Sequence, residues 1–309
     1  MSRLLVVGAN GQVGRELRRS LYPLGEVIAT TRDGRLEGVE PGGAGVVCVA
    51  ADLVDPEGLA ALVRELRPTA VLNAAAYTAV DKAESDEVAA FLINAEAPGT
   101  LARTCAEAGI PLVHYSTDYV FDGAGTRPYR EDDPTHPLGV YGASKLAGEE
   151  AIRASGCRHL IFRTAWVYAS HGKNFLRTML RLGAEREELK VVSDQIGTPT
   201  PAALIADVTA QALHRINEHS GTWHLTASGQ TSWHGFADAI FEGALARGLI
   251  EGRPNVLPIP TTDYPTPAKR PAYSCLDVSR LQSDFSVVLP DWRQGLGRVL
   301  DEVVSNTTA

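Results

Sequence analysis

The chain has 309 residues, of which 44% are hydrophobic, 6% aromatic and 21% charged. This is the composition of a globular protein of about two domains, and it excludes a disordered or fibrous chain. Because 29 Lys and Arg stand against 37 Asp and Glu, for a formal net charge of −8, we expect neither nucleic acid nor a membrane surface as a partner.

No apolar run approaches the ~20 residues of a membrane span, and the opening run Leu4–Val7 is too short for a secretory signal. The four cysteines, at positions 48, 105, 157 and 275, have neither a CxxC spacing nor a disulfide-framework pattern. We therefore expect a cytoplasmic protein with reduced cysteines.

The first 170 residues alternate short apolar runs with helical patterns. The runs are bounded by Gly, Pro, Asp or Asn, which is typical of buried strands. The alternation predicts an α/β fold, a Rossmann-like doubly wound parallel sheet with ligands at the carboxyl ends of its strands. The predicted strands are Leu4–Val7, Val27–Thr30, Gly45–Val49, Ala70–Asn73, Leu112–Ser116 and Leu160–Arg163, and the predicted helices are Val13–Leu21, Pro56–Leu66, Val88–Ala108 and Lys145–Ala154.

Beyond about residue 170 prolines interrupt the pattern, and three of the four tryptophans appear there, at 223, 233 and 292. This change predicts a smaller, partly interleaved α/β lobe. We therefore predict a dinucleotide-binding domain over residues 1–170 and a mainly substrate-binding lobe over residues 171–309, with some segments returning to the first domain.

Three glycines, Gly8, Gly11 and Gly14, follow the first predicted strand and begin a predicted helix. Glycine at these points allows a sharp turn, a close approach of backbone amides to a pyrophosphate, and tight packing of helix on strand. Because strand, loop and helix occur in this order, the motif predicts dinucleotide binding rather than a simple tight turn.

The end of the second strand favours NADPH over NADH. An acidic residue there would bind the ribose hydroxyls of NADH, but this chain has Thr31 followed by Arg32, and a guanidinium suits a 2′-phosphate. A solvated Arg32 is the alternative.

Asp52 and Leu53 follow the third strand, where they would meet the adenine. For Asp52 the alternative is a helix cap before Pro56.

Tyr141 and Lys145 are four residues apart and therefore share one face of a helix. An ammonium group nearby lowers the pKa of a phenol by stabilising phenolate, so the pair can protonate an alkoxide. Thr117 ends a strand upstream and would hydrogen-bond a substrate carbonyl; the alternative is a hydroxyl satisfied by the backbone.

Taken together, several blocks resemble one family. They are the glycines at 8, 11 and 14, Asn73–Glu84, Ser116–Gly123, Tyr141 with Lys145, Arg163–Tyr168, Asp194–Thr200 and Tyr264–Pro271. The chain is similar, from residue 4 to about residue 300, to the dTDP-4-dehydrorhamnose reductases, which are extended short-chain dehydrogenase/reductases. This resemblance implies NAD(P)H-dependent reduction of the C4 ketone of dTDP-4-dehydro-β-L-rhamnose to dTDP-L-rhamnose, the last step of dTDP-rhamnose biosynthesis.

The resemblance also implies site residues. Tyr141 would deliver the proton, Lys145 would hold the nicotinamide ribose and lower the pKa of Tyr141, and Thr117 would orient the carbonyl. Further expected cofactor contacts are Gly8, Gly11, Gln12, Val13, Gly14, Arg32, Asp52, Leu53, Ala75, Ala76, Tyr77 and Tyr115, and expected substrate contacts are Asp118, Trp166 and Arg270. For Trp166 the alternative is a core aromatic, and for Arg270 a surface ion pair.

Glu16, Glu185 and Glu302 match carboxylates that, in some relatives, bind magnesium between two subunits. The resemblance therefore implies a homodimer bridged by Mg²⁺. The alternative is three solvated surface glutamates.

Four other functions are alternatives. Sugar-nucleotide dehydratases have Asp then Glu after the threonine, and Tyr119 stands in place of that Glu, which argues against dehydration. An epimerase would keep NAD bound through its cycle, and a non-catalytic relative would bind NADP and regulate a partner. Reduction of another dTDP-4-keto-6-deoxyhexose would use the same motifs.

Overall fold

The computed structural model describes residues 2–38 and 46–308. Its strands are β1 Arg3–Val7, β2 Glu26–Thr31, β3 Val47–Ala50, β4 Ala70–Asn73, β5 Leu112–Thr117, β6 His159–Thr164, β7 Val167–Tyr168, β8 Glu188–Val192, β9 Ile196–Gly197, β10 Thr200–Pro201, β11 Gly221–His224, β12 Thr231–Ser232 and β13 Asn255–Ile259. Its helices are α1 Gln12–Leu21, α2 Pro56–Leu66, α3 Val80–Ala83, α4 Glu87–Phe91, α5 Ala97–Ala108, α6 Val140–Ala154, α7 Phe175–Glu185, α8 Ala202–Leu213, α9 Trp233–Leu245, α10 Ser279–Phe285 and α11 Trp292–Thr308.

Seven strands form one sheet in the order β11-β6-β5-β4-β1-β2-β3, with every pair parallel. The predicted Rossmann-like sheet is therefore confirmed, and all six predicted strands belong to it; position 45 of the third lies outside the described residues. Within residues 2–38 and 46–308, no helix is both long enough and apolar enough to cross a bilayer.

Apolar layers cover both faces of the sheet. One layer contains side chains of α1 and α8, including Leu17 and Ile205, and the other contains side chains of α2 and α5, including Val63 and Leu101. A separate cluster joins α7, α9 and α11 around Phe236, beyond the sheet. The chain beyond residue 170 thus supplies both this cluster and, through β11 and α8, part of the central layer; the domain division at residue 170 remains a prediction.

The predicted helix Val88–Ala108 is divided in the structure. Between α4 and α5, residues Leu92–Glu96 form a π-helical segment. Pro98 has no N–H to donate to the carbonyl of Asn94, so a regular α-helical hydrogen bond is lost at this point. The Asn94 carbonyl packs instead against Gly148 of α6, where any Cβ would collide with it. The irregular turn therefore allows α6 to pack closely.

Helix α6 is joined to β6 by a buried ion pair. Arg163 donates from Nε and Nη2 to the two carboxylate oxygens of Glu149, at 2.9 and 2.7 Å. Burial would raise the pKa of Glu149, but the hydrogen bonds and charge of Arg163 outweigh it and hold that pKa below its usual value. The pair fixes the helix that carries Tyr141 and Lys145 against the sheet.

Candidate active site

The predicted site residues of the first half lie along the carboxyl edge of the sheet. From β1 the chain continues on one side to β2 and β3, and on the other to β4, β5 and β6. The loops that follow β1 and β4 therefore diverge and leave a crevice between them, the usual ligand position in open α/β sheets.

The glycine loop after β1 exposes backbone rather than side chains. Gly8 has φ +82°, and a Cβ there would lie 2.8 Å from Ala75, while a Cβ on Gly14 would collide with the Gly8 carbonyl. Gly11 begins α1 with no side chain capping the helix. Gly8 and Gly14 therefore allow the loop to pack closely against Ala75 and against itself, and the uncapped start of α1 leaves backbone N–H groups for an anion.

Thr31, at the end of β2, organises the loop that carries Arg32. Its hydroxyl donates to Asp33 Oδ1 at 3.1 Å and accepts the Arg35 N–H at 2.9 Å. The bonds from the Arg35 backbone and from Thr31 also lower the pKa of the exposed Asp33 carboxyl. Asn10 of the glycine loop donates to the Arg35 carbonyl at 3.0 Å, so this loop is tied to the crevice, with Arg32 exposed.

The structure decides one alternative for Asp52. The cap of α2 is Asp55, which accepts the Gly58 N–H at 3.0 Å, so Asp52 as the helix cap is wrong. Asp52 instead accepts the Val54 N–H at 3.2 Å. Leu53 is buried in the core under the sheet, which leaves it little surface for the adenine contact we predicted.

The segment after β4, which includes Ala75, Ala76 and Tyr77, is held by Asn94. The Asn94 side chain accepts the Tyr77 N–H at 2.9 Å and donates to the Tyr77 carbonyl at 3.1 Å and to Ser144 Oγ at 3.0 Å. The floor of the crevice is therefore joined to α6.

Tyr141 lies in the first turn of α6 and is half-buried. Burial raises the pKa of Tyr141 to about 12, a hydrogen bond with Thr117 lowers it, and the Asp118 charge raises it. The ring of Tyr119 packs edge-on against that of Tyr141, with centroids 5.5 Å apart. The structure thus brings Thr117, Asp118 and Tyr141 together, as predicted.

Lys145 is 1% exposed, and its ammonium contacts β5. Nζ donates to the Tyr115 carbonyl at 2.6 Å and lies 3.1 Å from His114 Nε2. Burial lowers the pKa of Lys145 to about 8, and the Glu149 charge opposes this. In this structure Nζ is bound to β5, and the bond with Thr117 is what lowers the pKa of Tyr141. That Lys145 lowers this pKa stays a prediction.

The Tyr115 side chain does not reach the crevice. Its hydroxyl bonds to Thr209 Oγ1 at 2.9 Å, and its ring packs near Phe162 in the core. Successive side chains of a strand point to opposite faces, so Tyr115 offers the site its carbonyl only. The expected cofactor contact at Tyr115 therefore stays a prediction for its backbone and is wrong for its side chain, which is packed in the core.

Asp118 is 2% exposed. Thr117 Oγ1 donates to Asp118 Oδ1 at 2.9 Å, while Asp118 Oδ2 has no hydrogen-bond partner within the described residues. Burial raises the pKa of Asp118 to about 7, and the bond from Thr117 opposes that rise. A buried carboxylate oxygen without a donor is costly, which is typical of a binding position.

Trp166 follows β6 and packs against the second half of the chain. Its ring stacks on Trp233 at 3.5 Å between centroids, and its φ is +48°, an unusual conformation for a bulky residue. Gly197 makes the stack possible, since a Cβ there would collide with Trp166. Trp166 is partly buried, so it packs with its neighbours and still presents surface.

Arg270 forms the ion pair that we named as its alternative. Nη2 lies 2.7 Å from Asp81 Oδ2, but the Arg270 side chain is only 19% exposed, so the pair is not at the open surface. Arg270 also contacts Tyr119, where it partly offsets the rise in the pKa of Tyr119 that burial causes. It therefore lies beside the Tyr141 end of the crevice.

The three predicted metal-binding glutamates are engaged elsewhere. Glu16 pairs with His171 at 2.7 Å, Glu302 accepts from Ser170 at 2.9 Å, and Glu185 pairs with Arg181 at 3.0 Å. Within 2–38 and 46–308, no group of three His, Cys, Asp or Glu could hold a metal ion. One chain alone does not assemble the predicted site.

Comparison with known proteins extends over the whole chain. A family model for the RmlD substrate binding domain matches residues 2–305. The dTDP-4-dehydrorhamnose reductase of Burkholderia thailandensis is 50% identical, covering 98% of this chain and 99% of that protein. The chain belongs to the dTDP-4-dehydrorhamnose reductase family.

Two further members of this family support the assignment. The dTDP-4-dehydrorhamnose reductase of Escherichia coli K12 is 47% identical over 98% of this chain and 99% of that protein. The crystal structure of the Bacillus anthracis reductase in complex with NADP has a TM-score of 0.87 and 34% identity, covering 98% of this chain and 100% of that one.

Sequence reasoning missed His114, which contacts Lys145, and Asn94, which joins the crevice floor to α6. A signal for His114 was available. In the buried run Leu112–Thr117, His114 and Ser116 lie on the same face of the strand, and buried polar side chains there need hydrogen-bond partners from the element packed on that face. Asn94 gave no such signal, because its role depends on the π-helical turn.

The pKa of Asp118 predicts a stability change with pH. Since it is raised from 3.8 to about 7, the native protein binds a proton that the unfolded chain releases between those values, and stability falls as pH rises through that window. We expect Asp118→Asn to unfold at higher urea concentration than the wild type near pH 8, with the difference growing between about pH 5 and pH 7.

Asp132→Asn, at an exposed position, is the matched control and should follow the wild type. If Asp118→Asn and the wild type show the same pH dependence of unfolding, the raised pKa is contradicted.

Proposed function

We propose that the chain catalyses the NADPH-dependent reduction of the C4 ketone of dTDP-4-dehydro-β-L-rhamnose to dTDP-L-rhamnose, the last step of dTDP-rhamnose biosynthesis. The observation that carries the proposal is the meeting of Thr117, Asp118 and Tyr141 at one end of the crevice that begins at the glycine loop. Family membership over the full chain supports the same reaction.

The residues of the crevice fit a dinucleotide. Gly8 and Gly14 let the loop pack closely on Ala75 and on itself, and the uncapped start of α1 at Gln12 and Val13 suits a pyrophosphate. When bound, NADPH supplies the hydride. We assign the remaining hydrogen of the Lys145 ammonium to the nicotinamide ribose, since its other contacts are on β5.

The chain's own chemistry is proton delivery. As hydride reaches C4, negative charge develops on the ketone oxygen, and the Tyr141 hydroxyl gives its proton to that oxygen to form the alcohol. The Thr117 hydroxyl, whose one hydrogen is directed to Asp118 Oδ1 in this structure, would turn that hydrogen to the resulting phenolate, consistent with its effect on the pKa of Tyr141. The phenolate is then reprotonated before the next turnover.

We assign substrate binding to groups on both sides of the crevice. Asp118 Oδ2, which has no protein partner within the described residues, would accept a sugar hydroxyl, and Trp166 would present its face to the hexose. Arg270 would meet the diphosphate, on exchange of its ion pair with Asp81. Residues 171–309 would then form most of the sugar-nucleotide lobe, with residues 1–170 binding the cofactor.

We also propose a cytoplasmic location from the proposed reaction, because NADPH and nucleotide sugars are cytoplasmic metabolites.

The test of the reaction is NADPH oxidation with dTDP-4-dehydro-L-rhamnose as substrate. We expect Tyr141→Phe to lower kcat by about 10²–10⁴-fold, because the proton donor is removed, while NADP binding measured by calorimetry persists. Tyr119→Phe is the matched control, since Tyr119 packs on Tyr141 but donates no proton; it should retain kcat within about tenfold of the wild type.

Near-normal turnover by Tyr141→Phe would remove it as the acid. Absence of NADPH oxidation by the wild type would instead favour a non-catalytic NADP-binding relative, and conversion without net oxidation would favour an epimerase.

The preference for NADPH is assigned to Arg32, with NADH as the second reductant. Arg32→Ala should lower kcat/KM for NADPH by about tenfold, the effect of losing one charged hydrogen bond, and leave kcat/KM for NADH nearly unchanged. Arg15→Ala, an exposed arginine on α1, is the control. Equal losses with both reductants would show that Arg32 does not contact the 2′-phosphate.

We also propose a homodimer bridged by Mg²⁺, which requires carboxylates from two copies of the chain. The carboxylates do not meet within the described residues of one chain, so the ion would join copies and would displace the contacts of Glu16 with His171 and of Glu185 with Arg181. Size-exclusion chromatography tests this: EDTA should abolish the dimer peak and Mg²⁺ restore it. An unchanged elution profile contradicts the metal bridge.

A further inference from the structure

One buried titratable side chain at the site has no part in the proton delivery described above. His114 lies on β5, three residues before Thr117, and is fully buried. Its two ring nitrogens lie between Lys145 and Asn73: Nε2 is 3.1 Å from Lys145 Nζ, and Nδ1 is 3.2 Å from the Asn73 side-chain amide.

The imidazole of His114 is neutral. Burial, together with the charges of Lys145 and His159, lowers its pKa well below the usual value. A neutral ring has one N–H and one acceptor nitrogen. Lys145 Nζ donates to the Tyr115 carbonyl at 2.6 Å. Because the pKa of Lys145 is about 8, Nζ is mostly an ammonium at neutral pH, and an ammonium can only donate.

These facts assign the hydrogens. Nε2 must accept from Lys145, so the ring hydrogen lies on Nδ1 and points at Asn73. The Asn73 amide then accepts through its oxygen, an orientation assigned from hydrogen bonding. It gives up the 3.2 Å bond that Asn73 Oδ1 accepts from the Ala75 N–H, a neutral bond that is weaker than the bond of the Lys145 ammonium to Nε2. Two of the three ammonium hydrogens are thereby directed to β5, one to the Tyr115 carbonyl and one to His114, and the third is left for the crevice.

We propose that His114 is a positioning residue for the reductase reaction: as a neutral acceptor it fixes the direction of the Lys145 ammonium and keeps that ammonium charged in a buried site. The proposal rests on the proposed function, because it assigns the third hydrogen of Lys145 to the cofactor ribose. His114 acts through Lys145 and contacts neither substrate nor cofactor.

The other charged and titratable groups around this pair do not replace His114. On α6, Glu149 favours the charged lysine, but both its oxygens are bonded to Arg163, and Tyr141 bonds toward Thr117. On the strand side, His159 bonds to the Cys157 carbonyl, and Asp118 bonds to Thr117. His114 is therefore the side-chain acceptor for Lys145 among the described residues.

The test compares two substitutions of similar polarity. His114→Gln can place an amide oxygen where Nε2 lies, whereas His114→Asn reaches only the Nδ1 position, so it keeps the contact with Asn73 and loses the contact with Lys145. Because the pKa of Lys145 is about 8 and that of Tyr141 about 12, the loss of kcat/KM with rising pH reports Lys145 in the wild type.

The high-pH limb is the part of the pH profile in which kcat/KM falls as pH rises. We expect His114→Asn to move the midpoint of this limb down by about one pH unit, the effect of losing one hydrogen bond to a charged group. We expect His114→Gln to leave the midpoint near its wild-type value. A purely structural role for His114 would lower activity without moving the limb. An unmoved limb in His114→Asn, or an upward shift, overturns the proposal.

A second measurement requires no variant. In the wild-type enzyme, ¹⁵N NMR of the His114 ring should show the hydrogen on Nδ1 and an acceptor nitrogen at Nε2; a hydrogen on Nε2 overturns the proposal. The two failures are distinguishable: absence of NADPH oxidation by the wild type contradicts the proposed function, whereas normal oxidation with the wrong tautomer or an unmoved limb contradicts only the role of His114.

Discussion

The hydrogen bond from Lys145 Nζ to the Tyr115 carbonyl oxygen, at 2.6 Å, is the contact on which the site depends. A buried ammonium is unfavourable unless acceptors replace its water, and this carbonyl, at the end of β5, is the nearest of them. Because Tyr141 is one helical turn before Lys145, fixing Lys145 on β5 also places the phenol beside Thr117. The proposed acid Tyr141, the Thr117 hydroxyl and Lys145 are thus positioned by a single junction of strand and helix.

Several contacts hold α6 in the position that this bond requires. Gly148 allows the π-helical turn at Asn94 to pack against the helix, and Asn94 joins Ser144 of α6 to the crevice floor at Tyr77. The ion pair of Glu149 with Arg163 fixes the helix to β6. The catalytic groups are therefore supported by rigid elements, which is the condition for holding them in reactive geometry.

The parallel sheet, the glycine loop and the Tyr141–Lys145 turn could be predicted because each is a local pattern. The parts that could not be predicted depend on tertiary contacts. Gly221–His224 joins the sheet as β11 without an apolar run of its own, and Pro98 changes the helix only through the close approach of α6. The direction of the Tyr115 side chain follows from strand alternation, but a resemblance that assigns a position does not distinguish its phenol from its carbonyl.

The central claim is that hydride passes to C4 of the sugar while Tyr141 protonates the oxygen. The most direct test is to supply NADPH carrying deuterium at the transferred position and to analyse the dTDP-sugar product by NMR. The account predicts one deuterium on C4 of the hexose, with no solvent hydrogen incorporated at that carbon. A product with unlabelled C4, or with label lost to solvent, would contradict direct hydride transfer to the ketone carbon.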